Sequence, residues 1–164
     1  MLRDGDITND IVSRKKVISV IRRVRPEVIF APYPFDRHPD HIHAGNLIKE
    51  AVFFSGLTKS RTGNHAPFRP RRTFFYRNAM DIPLSFVFDI SKTYKKKIVA
   101  LKCYKTQFHD AGSKMPETFI STKSFEYEIE SRARHFGFKI GAEFGEPFYS
   151  YEPLRAEPES LFIL

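Results

Sequence analysis

A short apolar run followed by a polar loop is the feature that most constrains the fold of this chain. Residues 28–31 are continuously apolar, which is typical of a strand buried on both faces of a parallel sheet. An amphipathic helical pattern precedes the run over residues 9–24, and another follows over about 42–55, with Gly56 just past its end. A helix, a strand, a polar loop and a helix in this order predict a doubly wound α/β fold.

Weaker patterns extend the same alternation along the chain. Two further strands and two further helices are predicted over residues 73–77, 86–90, 91–107 and 123–136. Ser91 is predicted to cap the third helix and Gly137 to end the fourth, and the last stretch is predicted to be irregular or an edge strand. With 164 residues, the chain is long enough for one compact domain, predicted over 1–164.

The charge balance is strongly basic, with 27 Lys and Arg against 19 Asp and Glu and a formal net charge of +8. Such a charge fits a nucleic-acid partner, an acidic small molecule or a solvated basic surface. The basic clusters in the predicted helices fall largely off the apolar stripes, and no recognised nucleic-acid motif accompanies them. The solvated surface is therefore favoured, and a basic nucleic-acid-binding module stays as an alternative.

Cysteine content and hydropathy bear on the cellular compartment. The single cysteine, Cys103, excludes an internal disulfide and fits a reducing cytosol. No apolar run approaches the ~20 residues needed to cross a bilayer. The first residues also lack the apolar segment of a signal peptide. The sequence therefore predicts a cytoplasmic protein without a membrane partner.

The loop between the apolar run and the second helix is the candidate site. It lies just outside the carboxyl end of a predicted strand, where open α/β sheets bind ligands. His38 and His41 are three residues apart with the carboxylate of Asp40 between them, and Pro39 restricts the backbone. Imidazole is the commonest metal ligand, but two histidines in a surface loop are often only solvated, and a catalytic zinc needs about three protein ligands. Spacing alone leaves both interpretations open.

Two strings in this segment carry a family likeness, Phe30-Ala31-Pro32-Tyr33 and Asp36-Arg37-His38-Pro39-Asp40-His41. They resemble the second motif of the LmbE-like (PIG-L-type) zinc-dependent deacetylases, and within that family the bacillithiol-biosynthesis branch, which deacetylates N-acetylglucosaminyl malate. The other segments that resemble this branch are residues 2–10, 47–56, 68–70, 103–108, 116–120, 133–137 and 145–148. The resemblance implies a Rossmann-like parallel sheet flanked by helices and a hydrolase that acts on the acetamide of an N-acetylglucosaminide.

The resemblance also implies a role for each matched residue. His41 corresponds to a zinc ligand, and His38 to the histidine that, as imidazolium, stabilises the tetrahedral oxyanion. Asp40 corresponds to a catalytic carboxylate that orients His38 and raises its protonated fraction, although a carboxylate just before a helix also fits an N-cap. Arg37 and Arg69 match basic positions near the substrate's malate carboxylates, which a guanidinium pairs bidentately. The zinc, or another divalent metal, would make hydroxide available at cytosolic pH.

One part of the family pattern does not occur in this sequence. The family's first motif, Ala-His-Pro-Asp-Asp followed by Glu, supplies the other zinc ligands and the general base. Because that motif lies on the family's first strand–loop unit, we expect a sheet that lacks its first strand–helix portion, in an N-terminally truncated deacetylase domain. An inactive interaction subunit of the same family is the alternative, and the resemblance implies a homo-oligomer for the complete protein.

Overall fold

The computed structural model describes three stretches of the chain, residues 3–60, 62–104 and 118–155. They fall into two compact units, and the single domain expected over 1–164 stays a prediction. The first unit contains the described residues up to Ser85 together with those from Phe148 onward, and the second extends from Phe86 to Pro147. The candidate loop and both helices beside it belong to the first unit.

The first unit is built around two helices that pack on each other, α1 over Ile11–Val24 and α2 over Pro39–Ser55. Asp10 caps α1 by accepting a hydrogen bond from the backbone N–H of Ser13 at 2.7 Å. The helix ends at Arg25, which adopts the left-handed conformation with φ of 52°. Both helices confirm the sequence prediction, and α2 begins three residues earlier than the apolar pattern indicated.

The contact between the two helices is apolar and tight. Ile18 and Ile21 of α1 meet Ala51 of α2, and all three side chains are buried. Arg22 is also buried, and its Nε donates a hydrogen bond of 3.0 Å to the backbone carbonyl of Ser55. This bond satisfies a carbonyl at the C-terminus of α2, where the helix leaves such groups without a partner of its own.

Four strands form one sheet in the described part of the chain, namely β1 (Val28–Pro32), β2 (Arg72–Tyr76), β3 (Phe86–Asp89) and β4 (Gly145–Tyr149). Their order is β1-β2-β4-β3, with β1 and β2 parallel and β2 and β4 antiparallel. The predicted α/β fold is confirmed, as a mixed sheet flanked by helices. The prediction of an edge position for the last strand is wrong, because β4 lies between β2 and β3 and its first and last residues belong to different units.

The strand β1 is less buried than its apolar sequence predicts. Ala31 and Pro32 are buried, but the Val28 and Phe30 side chains are 41% and 50% exposed. Among the described residues, β2 is the strand that pairs with β1, and the other edge of β1 has no partner strand. The prediction of burial on both faces therefore holds only for the end of β1 that leads into the candidate loop.

The second unit contains β3, the first residues of β4, and two helices, α3 over Tyr94–Lys102 and α4 over Lys123–Lys139. A 3-10 turn over Phe119–Ser121 precedes α4. The core of this unit includes Ala133 and the stacked rings of Tyr94 and Phe144, whose centroids are 3.8 Å apart. None of the helices in the described stretches of either unit is long and apolar enough to cross a bilayer.

Three predicted helix boundaries in the second unit are wrong. Thr93, not Ser91, is the N-cap of α3, because the Ser91 hydroxyl accepts a hydrogen bond of 3.1 Å from the backbone N–H of Phe144. The helix α4 continues through Gly137. A Cβ at that position would lie 2.7 Å from the carbonyl oxygen of Ala142, so glycine serves a close approach of the backbone there. The helix α3 also ends at Lys102, with Cys103 as its C-cap, and so stops short of the predicted end near residue 107.

Candidate active site

A close packing of α2 on the preceding loop sets the position of the candidate site. Residues 33–38 connect β1 to α2. A Cβ at Gly45 would lie 2.5 Å from the carbonyl oxygen of Pro32 and 2.9 Å from Cα of Pro34, both of which are backbone atoms. Only glycine allows α2 to approach this closely, and the approach holds the loop against the first turns of the helix.

Asp36 is the buried centre of this loop, with a side chain that is 2% exposed. Its carboxylate accepts hydrogen bonds of 3.0 Å from the backbone N–H groups of His38 and Ala79, and one of 3.1 Å from Nδ1 of His41. Burial by itself raises the pKa of the Asp36 carboxyl, but these hydrogen bonds outweigh burial, and the net pKa lies below its usual value. Asp36 is therefore a fixed anion behind His41.

The contact with Asp36 determines which nitrogen of His41 can act in chemistry. An ionised carboxylate only accepts hydrogen bonds, so Nδ1 of His41 carries the proton and Nε2 keeps its lone pair in the neutral ring. The His41 side chain is 42% exposed. A histidine whose second nitrogen bonds a carboxylate is the usual arrangement of a metal ligand.

His38 sits beside His41 and begins the helix. It is the N-cap of α2, and its Nδ1 accepts a hydrogen bond of 3.2 Å from the backbone N–H of Asp40. The two imidazole rings stack with their centroids 4.8 Å apart. Because Nδ1 faces a backbone N–H, Nε2 is the ring nitrogen that is left to donate a hydrogen bond, and the imidazolium role that the family resemblance implies stays a prediction. His38 therefore offers one exposed N–H donor next to His41.

Asp40 takes a different position from the one expected. It is 5% exposed, and its carboxylate accepts hydrogen bonds from the backbone N–H groups of Gly5 at 2.6 Å and Ile7 at 3.3 Å. Its contact with His38 is made by its backbone N–H and not by its carboxylate. Asp40 is also not the N-cap, because α2 begins at Pro39 and the cap is His38.

The structure brings only one of the two predicted substrate arginines to the histidines. Arg37 is exposed and precedes His38 in the loop. Arg69 donates a hydrogen bond of 3.1 Å to the carbonyl of Phe53, and its guanidinium lies over the Phe53 ring at 5.1 Å. Phe53 is a little over three turns beyond His41 along α2, or about 18 Å at 1.5 Å per residue. Arg69 therefore lies apart from the histidine pair, His38 and His41.

The described residues supply only part of a metal site. Within residues 3–60, 62–104 and 118–155, no group of three His, Cys, Asp or Glu side chains is arranged to hold a metal. His41 fits as one ligand, because Asp36 holds its Nδ1 and leaves Nε2 as the nitrogen that can bind an ion in the neutral ring. The sequence did not reveal the role of Asp36, because a separation of five residues from His41 matches no helix or strand period. The partners of Asp40 are more than thirty residues away along the chain, which is too far to predict.

We expect Asp36→Asn to destabilise the protein at neutral pH by about 1–3 kcal/mol, the usual cost of leaving buried hydrogen-bonding groups poorly satisfied. Since the pKa of Asp36 is lowered by folding, its contribution is complete above the ordinary value of about 3.9 and is lost as the pH falls below it. The difference in unfolding temperature between the two proteins should therefore be large at neutral pH and should shrink as the pH is lowered through and below ~3.

The matched control is Asp81→Asn, since the Asp81 side chain is 90% exposed and pairs only with Arg77 among the contacts described. It should change the unfolding temperature little at either pH, because exposed ion pairs contribute little. An equal destabilisation by Asp36→Asn at both pH values would contradict the charged, hydrogen-bonded state of Asp36.

Part of the chain is similar to a known family model, and more of it is similar to a known enzyme. Residues 2–52, which include α1, β1 and the histidine pair, match the family model of PIG-L, described as GlcNAc-PI de-N-acetylase. The chain is similar to a diacetylchitobiose deacetylase of Thermococcus kodakarensis, with 34% identity over 130 residues that cover 74% of this chain and 47% of the relative. The family model thus matches about a third of the chain, and the similarity to the deacetylase extends over about half of that relative's length.

Two solved structures are similar to this chain in fold, at 25% sequence identity or more. A conserved protein of Thermus thermophilus superposes with a TM-score of 0.83 at 33% identity, over 95% of this chain and 66% of the other. An N,N′-diacetylchitobiose deacetylase of Pyrococcus horikoshii, complexed with its inhibitor, superposes with a TM-score of 0.75 at 25% identity, over 90% and 54%. The chain thus spans about half the length of the Thermococcus relative and about two-thirds or less of these structures.

A third structure shares the fold alone. The 4-carboxy-2-hydroxymuconate hydratase GalB of Pseudomonas putida KT2440 superposes with a TM-score of 0.73 at 18% identity. A fold of this kind therefore carries more than one chemistry, and the choice between chemistries has to be argued from the residues of the site.

Proposed function

We propose that this chain carries part of the active site of a zinc-dependent deacetylase that hydrolyses the acetamide of an N-acetylglucosaminide. The observation that supports this most is the arrangement of Asp36, His41 and His38 at the carboxyl end of β1. It places an oriented imidazole lone pair beside an exposed N–H donor. Amide hydrolysis at a metal needs both, one to hold the ion and one to stabilise the developing oxyanion.

The proposed roles follow from the nitrogens that each ring leaves exposed. His41 binds zinc through Nε2, with Asp36 fixing the tautomer from behind. His38 donates from Nε2 to the oxyanion that forms when water adds to the acetamide carbonyl. When bound, zinc would lower the pKa of its water towards neutrality. Because the described residues supply only one convincing ligand, the remaining ligands and the general base must come from outside them.

The finer proposal concerns the substrate. We infer N-acetylglucosaminyl malate, the substrate of the bacillithiol branch, because Arg37 is an exposed residue of the loop that carries the histidine pair and malate is a dicarboxylate. The relatives named for diacetylchitobiose make that neutral disaccharide the second candidate. The single cysteine, Cys103, fits a reaction in a reducing compartment.

The two substrates can be separated in a completed protein, in which residues 1–164 follow an upstream segment carrying the family's first motif, taken from a relative that has it. Arg37→Ala should raise the KM for N-acetylglucosaminyl malate at least tenfold, because a charge-assisted hydrogen bond contributes about 1.5–3 kcal/mol. The KM for N,N′-diacetylchitobiose, which has no carboxylate, should stay within about twofold.

Arg69→Ala is the matched control for this experiment, since it removes the same charge at the far end of α2. It should leave both KM values unchanged. A malate-specific rise in KM for Arg69→Ala would restore its sequence-predicted role, and equal effects of Arg37→Ala on both substrates would contradict carboxylate recognition. A completed, zinc-loaded protein that releases acetate from neither sugar would favour the inactive interaction subunit.

A further inference from the structure

A tight turn near the N-terminus lies against the start of α2. The backbone N–H of Asp6 donates a hydrogen bond of 3.3 Å to the carbonyl of Arg3, and Gly5 within the turn has φ of 81°. Such a positive φ is accessible to glycine without steric cost and is strained for other residues. The sequence resembled the deacetylase family here, but the proposed chemistry leaves this turn, residues 3–6, without a role.

Three hydrogen bonds from two side chains of α2 hold the 3–6 turn and the residue after it. The Asp40 carboxylate accepts from the backbone N–H groups of Gly5 and Ile7, at 2.6 and 3.3 Å. Nδ1 of His43 donates to the carbonyl of Ile7 at 2.6 Å. Asp40 and His43 are three residues apart on the helix and so share one side of it. We call these two residues the clamp.

Both oxygens of the Asp40 carboxylate are occupied by the clamp, and the residue is 5% exposed. A buried carboxylate is tolerated only when its hydrogen bonds are made, and bonds from backbone N–H groups to an ionised acceptor are strong ones. The backbone N–H of the same residue donates a hydrogen bond to Nδ1 of His38. Asp40 therefore touches the turn with its side chain and the catalytic histidine with its backbone.

We propose that the clamp of Asp40 and His43 holds the 3–6 turn beside the histidine pair as one wall of the sugar-binding site. The proposal rests on the proposed deacetylase function and adds a specificity element to it. The turn is exposed and carries Arg3, Asp4 and Asp6. Guanidinium and carboxylate groups bind the hydroxyls of a sugar through charge-assisted hydrogen bonds. Asp40 is then a positioning residue for the substrate and not a proton carrier.

The test uses hydrogen–deuterium exchange of the full chain at low micromolar concentration, with and without N,N′-diacetylchitobiose as the probe. In the unsubstituted protein the amides of Gly5 and Ile7 should exchange slowly, and the sugar should slow exchange in both the 3–6 turn and the segment around His38. Asp40→Ala should speed exchange of the Gly5 amide at least tenfold and weaken sugar binding about tenfold, which corresponds to roughly one lost charged hydrogen bond.

Three further variants separate positioning from a general loss of structure. Asp40→Asn keeps one acceptor oxygen and should restore part of the sugar affinity. Gly5→Val leaves Asp40 intact and should weaken binding as well, because its backbone resists the positive φ although a Cβ there would meet no atom within 4 Å. Asp10→Ala removes a carboxylate that accepts a backbone N–H in α1 and should leave sugar affinity unchanged.

The outcomes distinguish this inference from the function on which it rests. If the sugar slows amide exchange around His38 but not in the 3–6 turn, the turn is not a wall of the sugar-binding site, although the proposed deacetylase function still holds. Unchanged sugar affinity in Asp40→Ala, with fast exchange at Gly5, would also overturn the proposed role of the 3–6 turn. If the sugar slows amide exchange in neither segment of the unsubstituted protein, both the proposed function and the proposed role of the 3–6 turn are contradicted.

Discussion

His38→Ala in the completed protein is expected to lower turnover about 10²–10³-fold while leaving the zinc content nearly unchanged. The reason is that Nδ1 of His38 is used by the backbone of α2 and only Nε2–H faces outward, as a donor. A donor aimed at the oxyanion acts in the transition state and has no part in holding the metal. The measurements are the turnover number and metal analysis of the same purified sample.

His41→Ala is expected to give the opposite pattern, with loss of the metal and of activity together. Its Nε2 is the one oriented lone pair of the histidine pair, and Asp36 fixes it. His135→Ala is the control, because it removes an exposed histidine of α4 outside the site, and it should change neither quantity. Zinc lost from the His38 variant and retained in the His41 variant would reverse the two assignments.

Residues 1–164 alone are expected to self-associate, and the exposed edge of β1 is the expected cause. Val28 and Phe30 are 41% and 50% exposed on a strand whose outer edge has no partner among the described residues. Nearby on α1, Val20 and Val24 are 48% and 60% exposed. At ~25 cal/mol per Å², covering a few hundred Å² of such surface is worth several kcal/mol, and an open edge offers backbone hydrogen bonds as well.

Size-exclusion chromatography over a range of concentrations measures this effect. A lysine on an open edge disfavours pairing, so Val28→Lys should shift the protein strongly towards the monomer. Phe138→Lys is the matched control, because Phe138 is 85% exposed but lies on α4, where no backbone edge is open, and it should shift the distribution little. A monomer at every concentration with one sharp unfolding transition would contradict the prediction. A shift to the monomer when the upstream segment of the completed protein is added would agree with the prediction.

The local part of the site could be predicted from the sequence. The strand β1, the loop and the helix α2 follow from an apolar run, a proline-rich segment and a helical apolar pattern, all within about thirty residues. That order placed His38 and His41 at the carboxyl end of a strand, and the structure places them there. The parallel pairing of β1 with β2 also follows from an intervening helix.

The contacts that define the chemistry of the site depend on residues far apart in the chain. The hydrogen bond of Asp36 with Ala79 spans 43 residues, and that of Asp40 with Gly5 spans 35. Neither leaves a periodic pattern, so the sequence could not show that Ala79 helps to hold Asp36 in place or that the Asp40 carboxylate bonds the 3–6 turn and not His38. The same limit explains β4, whose interior place in the sheet depends on its pairing with a strand some seventy residues earlier.

The most direct test of the deacetylase proposal is acetate release from N,N′-diacetylchitobiose and N-acetylglucosaminyl malate by the completed, zinc-loaded protein in oxygen-labelled water. We predict that one molecule of labelled acetate appears for each free amine, because water is the nucleophile in the hydrolysis. We also predict that replacing both His38 and His41 abolishes the release. A folded, zinc-loaded protein that releases no acetate from either sugar, or one that releases it undiminished without the two histidines, would contradict the proposed function.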